Sequence, residues 1–222
     1  MDDIAQGVFV TVALALATFP IGLVIGFFVA IAKQSSEPSL RLAGNVYTTI
    51  FRGLPELVTL FLVYYGAQIV ITNIVRMVDP EATVQVNSFV SGMVALGFVS
   101  SSYSSEVFLS AFRAIPRGQY EGGYAIGLTK RQTMRLVILP QLIRISLPGL
   151  ANLWLILLKD TALVSAIGLA DTLRQTGIAS RVTKEPFLFY GVACLIYLVL
   201  AIITSFGISV IERSVGRQEA HR

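Results

Sequence analysis

Five apolar runs limit what this chain can fold into. They cover residues 7–32, 54–75, 89–112, 145–170 and 187–211. Each reaches the roughly 20 residues needed to cross a hydrocarbon core about 30 Å thick. In lipid such a segment must close its backbone hydrogen bonds internally, so each run is a helix. Composition agrees, with 55% hydrophobic and only 14% charged residues, where soluble domains carry roughly a quarter charged. The expectation is an all-α membrane protein with five transmembrane helices in a single domain, 1–222. Pro20 and Gly22 predict a kink in the first run.

The basic residues set an orientation. Twelve of them fall on one side: Lys33, Arg41 and Arg52, then Arg113, Arg117, Lys130, Arg131, Arg135 and Arg144, then Arg213, Arg217 and Arg222. The other side holds four, Arg76, Arg174, Arg181 and Lys184. The excess marks the cytoplasmic face, so the N-terminus lies outside and the C-terminus inside. With a net charge of only +4 in short clusters, the charge sets topology and does not predict a nucleic-acid partner. The acidic start, Asp2 and Asp3, lacks the basic region of a cleaved signal, so the first run reads as a retained helix. The lone Cys194 excludes an internal disulfide, and no metal-ligand spacing appears. The single His221 lies in the tail, so no Ser-His-Asp set is possible. Asp79-Pro80 signals a turn, and the outer segment 171–186 reads as a polar, mobile loop.

The longest inner loop contains EGGYAIGLTKRQTMRLVILP, residues 121–140. It reads as two short helices meeting at a glycine. The first ends near Ile126, with Gly127 free to take a positive φ. Thr129 and Gln132 form a potential capping box for the second. Met134, Val137 and Ile138 make its apolar side, while Lys130, Arg131 and Arg135 face water or a partner. Pro140 suits the first turn of the next helix. The Gly122–Gly127 spacing lacks the Lys-Ser/Thr and the preceding strand of a phosphate loop, so the chain carries no nucleotide-hydrolysing motif.

The third run carries a polar load: Ser100, Ser101, Ser102, Tyr103, Ser104, Ser105 and Glu106. A carboxylate within a span faces a cavity or a partner. Tyr103 and Glu106, at i and i+3, share a face. That face is expected to line a path where Glu106 attracts a cation; the alternative is a pair with Arg113 or Arg117. Lys159 and Asp160 in the fourth run suit either a structural clamp or a direct ligand role. Asn152 and Trp154 are weaker candidates, and Trp154 suits packing equally well. Arg52 and Glu56, at i and i+4, read as structural. Gly22 and Gly26 make a small-xxx-small face for close helix packing, within the chain or across a dimer.

The order Glu121, Gly127 and VILP ending at Pro140 resembles the EAA loop of ATP-binding-cassette importer permeases. FRGLPELVTLFLVYYG (51–66) and LPGLANLWLILLKDTALVSAIGLADTL (147–173) resemble the second and fourth spans of the polar amino-acid permeases. The likeness covers nearly the whole chain and is greatest for the histidine, lysine, arginine, ornithine and opine subfamily. It implies the type I importer fold, with cytoplasmic coupling helices at 117–140 between the third and fourth spans. Coupling to the ATPase would then rest on Glu121, Gly122, Gly123, Gly127, Leu139 and Pro140. Family members carry a Tyr-x-x-Glu in the third span, which supports a substrate path at Tyr103 and Glu106; Ser102, Asn152 and Asp160 are its further expected members. No cofactor is implied in this chain; ATP and magnesium belong to the partner. The implied partners are an ATPase dimer, a periplasmic amino-acid-binding protein, the lipid bilayer and a second permease subunit, a paralogue ahead of an identical copy. The implied location is the bacterial inner membrane. One departure stands out, because the family usually has two Ala where this chain has Gly122 and Gly123, and each Gly loosens a helix by about 1 kcal/mol. A rival reading is an ion-gradient-driven secondary transporter or channel subunit, with Glu106 and Asp160 as its relay. A second rival is a membrane scaffold whose basic loop recruits a cytoplasmic protein.

Overall fold

The computed structural model describes residues 2–82 and 84–217. His221 and Arg222 lie outside the described residues. The helices run α1 (Asp2–Gln34), α2 (Pro38–Gly53), α3 (Glu56–Arg76), α4 (Ser88–Ala114), α5 (Arg117–Ala125), α6 (Lys130–Thr133), α7 (Leu139–Asp160), α8 (Thr172–Thr183) and α9 (Pro186–Arg217). Among the described residues, four helical segments are long and apolar enough to cross a membrane: α1, α3, Lys130–Ile167 and α9. With 27 residues, α4 is also long enough, but its serines and Glu106 dilute its hydropathy.

At the centre is α4, packed between α1 on one side and α2, α3 and α7 on the others. Two apolar clusters hold this arrangement. In one, Phe108, Leu109 and Phe112 of α4 meet Leu142, Leu150 and Leu153 of α7 and Ile138. Phe27 of α1 closes it, its ring edge-on to Phe108 at 5.6 Å, a geometry that adds about 1 kcal/mol to burial alone. In the other, Leu14, Leu60, Leu96, Leu157 and Val164 join α1, α3, α4 and α7 to the 3-10 turn Thr161–Ile167.

The α1–α4 seam depends on small residues. A Cβ on Gly26 would stand 2.7 Å from Ser104 Cβ and 2.8 Å from the Ser101 carbonyl oxygen. The small-xxx-small face therefore packs within the chain. The serines serve the same seam. Ser101, Ser102, Ser104 and Ser105 are fully buried. Ser102 donates to the Val99 carbonyl at 2.7 Å and Ser105 to the Ser102 carbonyl at 2.7 Å. Contrary to expectation, Ser102 is sealed and does not line an open path. Ser101, Ser102 and Ser105 donate within their own helix, and Ser104 Oγ has no partner among the described residues. Such small side chains let two backbones approach.

Three further expectations change. Residues 38–53 form a helix where the sequence reading saw only a charged approach. Pro38 starts it; Gly44 and Thr48 are buried, and Tyr47 reaches across to Ser101 at 2.6 Å. The segment 171–186 contains α8, with Thr172 and Thr176 fully buried. The fourth helix begins earlier than residue 145. It is unbroken from Lys130, through a π turn at Met134–Ile138, to Asp160. The Leu139 amide bonds the Met134 carbonyl five residues back. Pro140 accounts for this turn, since it lacks an N–H and its ring crowds the carbonyl four residues earlier. At Pro20 the first helix continues without a break.

Asp171 caps α8, accepting from the Arg174 amide at 2.9 Å, and is fully buried. Beside it, Thr172 donates from its amide to Thr11 Oγ1 of α1 at 3.2 Å. Burial pushes the Asp171 carboxyl up to about 6, against the pull of the Arg174 and Leu173 amides and the Arg174 charge. A folded-state value above the ordinary 3.8 means the native state holds this proton more tightly than the unfolded chain. Its stabilisation is therefore full below about pH 4 and is lost as pH rises through about 6. The melting temperature of the purified protein should contain a component that falls over this window, and Asp171→Asn, which keeps the cap, should remove it. Identical pH profiles for the two proteins would exclude the effect.

Candidate functional site

The loop between α4 and α7 folds as its sequence implies. Ile126 ends α5, and Gly127 follows with φ +83. The Leu128 amide bonds the Gly123 carbonyl at 3.0 Å and the Gly127 amide bonds that of Tyr124 at 3.0 Å, a Schellman closure that needs a left-handed residue. Thr129 and Gln132 then cap each other reciprocally, with the Thr129 amide 2.9 Å from Gln132 Oε1. Ile138 is buried and Met134 and Val137 pack behind it. Glu121, Gly122, Gly127 and Pro140 are exposed, Leu139 is half-buried, and Tyr124, Ile126 and Leu136 present apolar surface beside Arg131 and Arg135. This is an apolar knob with a basic rim, on the tip of the rod that continues into α7.

The two glycines after Glu121 differ. Gly122 faces open space, but a Cβ on Gly123 would lie 2.6 Å from Thr133 Cγ2. Gly123 thus lets α5 touch the start of the α6–α7 rod. Gly122→Ala is expected to stabilise α5 by up to about 1 kcal/mol. Gly123→Ala should instead destabilise the loop. Hydrogen exchange of the 117–133 amides will separate the two; equal protection in both variants would contradict the packing role.

The second cluster lies where α2, α3, α4 and α7 converge. Glu106 accepts an ion pair from Lys33, the last-turn cation of α1. Arg52 Nη1 stands 3.5 Å from the same carboxylate oxygen. The partners are not Arg113 or Arg117. Lys33 also donates to Thr48 Oγ1 at 3.1 Å. Arg52 in turn lies over the Tyr103 ring, 5.6 Å from its centre, within cation–π range. Glu56 lies within electrostatic reach of the Tyr103 hydroxyl and of Asp160. Charges therefore alternate from Lys33 through Glu106 and Arg52 to Glu56, and the wall ends in a second carboxylate, Asp160.

The sequence-derived residues divide accordingly. Tyr103 and Asp160 line one narrow cleft with Ser100, Leu153 and Ile156, with room for about one water molecule. Glu106 sits on the same wall but is already paired. Ser102 is sealed at 0% exposure. Asn152 is exposed on α7, about two turns before Asp160. Trp154 packs edge-on to Phe19 at 5.3 Å. Sequence reasoning missed the Lys33 partnership. The spacing gave no clear signal for it, because Lys33 lies just past the first run whereas Glu106 lies about two turns inside the third.

Residues 22–217 match the family described as binding-protein-dependent transport system inner membrane component. The chain belongs to this family. It is 38% identical over 219 residues to the histidine/lysine/arginine/ornithine transport system permease protein HisQ of Salmonella typhimurium, covering 98% of this chain and 96% of the relative. It is 36% identical to the nopaline transport system permease protein NocQ of Agrobacterium fabrum, covering 97% and 92%. Its fold matches a chain of the crystal structure of an amino acid ABC transporter with histidines, at TM-score 0.81 and 33% identity over 96% of this chain and 94% of that one. A chain of the inward-facing MetNI methionine ABC transporter matches at TM-score 0.77 and 20% identity, over 97% of both chains, a likeness of fold. These permeases therefore share this chain's helical architecture, and a secondary transporter is not favoured.

Proposed function

We propose that the chain is the membrane subunit of an ATP-driven importer of polar, mainly cationic, amino acids or opines in a bacterial inner membrane. It crosses five times, α4 included, with its N-terminus outside. A paralogous permease completes the path, a periplasmic binding protein delivers solute, and an ATPase dimer using ATP and magnesium grips the 121–140 loop. The supporting observation is the unbroken helix from Lys130 to Asp160. It joins the exposed knob to the charged wall, so movement imposed at one end reaches the other. An amphipathic knob of this kind suits a groove on a partner protein. The path then alternates its access as the two ATPases close and open. Glu106 and Tyr103 belong to the wall along which solute passes, and Asn152 to its continuation on α7.

The test is uptake by proteoliposomes holding the full complex. ATP-dependent accumulation of arginine or an opine is expected. In Gly127→Leu, which forces a branched side chain into φ +83, assembly should weaken or ATP hydrolysis should continue without uptake. Accumulation driven by a proton or sodium gradient without ATP would overturn the reading, as would normal transport by Gly127→Leu.

A further inference from the structure

Between α7 and α9 runs a groove that the charged wall does not reach. Adjacent residues on a helix diverge by about 100°, so Lys159 turns away from the cleft that Asp160 shares with Tyr103. It lines a separate cleft with Ala162, Leu173, Tyr190, Cys194 and Tyr197. One helical turn earlier, Leu155 lines a second opening with Ala201, Ile202, Ser205, Phe206 and Ser209. The two openings share their walls. Leu155 and Lys159 stand at i and i+4 on α7, and Tyr190, Cys194, Tyr197, Ala201 and Ser205 follow at intervals of three or four on α9. They are the two ends of one groove. From Tyr190 to Ser205 it measures about 22 Å along the helix, more than the about 15 Å of half a hydrocarbon core. Tyr190 fixes one rim, since its hydroxyl lies 3.4 Å from where a Cβ on Gly177 of α8 would stand.

The charge in this groove is one-sided. Lys159 is exposed, and among the described residues it makes no ion pair within 4 Å. The facing helix offers it no carboxylate, because α9 has no charged residue between Pro186 and Val210. A cation on the open side of a span needs a counter-charge, or must lift its head along an apolar stem toward the interface. The segment before α9 adds Arg174, Arg181 and Lys184, against Glu185 and the buried Asp171. The groove is thus basic at one end and apolar along the rest, the complement of an anionic phospholipid. We propose that the α7–α9 groove holds such a lipid from the outer leaflet, with its phosphate on Lys159 beside Tyr190 and one acyl chain along Leu155, Ala201, Ile202 and Phe206. The proposal goes beyond the importer reading and takes from it only the orientation of the chain. A Lys ammonium binds phosphate as a point charge. A zwitterionic headgroup carries its own ammonium into the basic rim and is repelled there, whereas a phosphatidylglycerol headgroup has none. Ala201 and Ser205 are small enough to leave room for the chain. Among the described residues α9 packs chiefly on α8 and α7, so a lipid seated here braces the last span against the rod.

The experiment places the full permease–ATPase complex in phosphatidylcholine vesicles that contain a trace of either phosphatidylglycerol or phosphatidylcholine with a photoreactive acyl chain. After irradiation, the labelled peptides are mapped by mass spectrometry. In wild type, label on residues 197–209 of α9 should be about fivefold higher from phosphatidylglycerol than from phosphatidylcholine. Lys159→Arg should keep that preference, and Lys159→Met should reduce it to the phosphatidylcholine level. Equal labelling of wild type by the two lipids overturns the site, as does a preference that survives Lys159→Met. Labelling of this stretch by neither lipid also overturns it, and means that a second permease subunit covers the groove. Excess inorganic phosphate should leave the label in place; displacement would assign Lys159 to a soluble anion and reject the lipid. The wild-type comparison needs no variant, so an unstable Lys159→Met still leaves the outcome decided. ATP-driven uptake by the same vesicles tests the importer reading separately.

Discussion

Glu106→Ala should lower the stability of the purified subunit by about 3 kcal/mol, because it strands a buried charge. The Lys33 side chain is only 8% exposed. Without Glu106, its ammonium keeps Thr48 as its one remaining close partner among the described residues. Breaking a buried pair from one side costs about 3–5 kcal/mol, and the 31% exposure of Glu106 puts this case at the low end. Glu106→Gln, which leaves a carbonyl acceptor, should cost less. Adding Lys33→Met to Glu106→Ala removes the stranded charge and should recover much of the loss. Thermal unfolding of the four proteins in one detergent measures this. A double variant no more stable than Glu106→Ala would mean that the pair is not coupled.

Gly26→Leu should prevent accumulation of folded protein. The first added carbon already meets Ser104 Cβ at 2.7 Å, and the contacts behind it are the Ser101 carbonyl and the Ser105 amide, which cannot rotate away. Overpacking of a tight contact costs about 1–3 kcal/mol even when side chains can shift, and here backbone must move. Gly191→Leu on α9, where nothing lies within 4 Å, serves as the matched control and should express normally. Comparable yields of folded protein from the two variants would show that α1 and α4 are not locked at this seam.

Long-range order in lipid is easy to read from one dimension, and local caps are easier still. The apolar runs at 7–32, 54–75 and 187–211 coincide with α1, α3 and α9 to within a few residues, and Gly127 and the Thr129–Gln132 box stand as their spacing requires. Where the chain was misread, the deciding forces were tertiary. α2 has too little apolar length to register as a span, and its buried face is only Gly44 and Thr48. The α4 serines signal polarity in sequence, yet they act by being small. α8 is polar in composition, but threonines paired with α1 bury it. The partner of Glu106 came from helices distant in sequence, so the nearer Arg113 and Arg117 were the natural but wrong candidates. Asp160 and Tyr103 stand out in the sequence because charge and aromatic oxygen inside a span are rare, and the two line one cleft.

The rod that runs from Lys130 to Asp160 without a loop also affects how work is spent. A flexible connector would have to be ordered each time force passed through it, at about 1–2 kcal/mol per residue in conformational entropy. Here the residues between the knob and the wall are already helical, and even the π turn is hydrogen-bonded. On the importer reading proposed above, a displacement imposed at Arg131 would reach Asp160 through residues that need no ordering along the way.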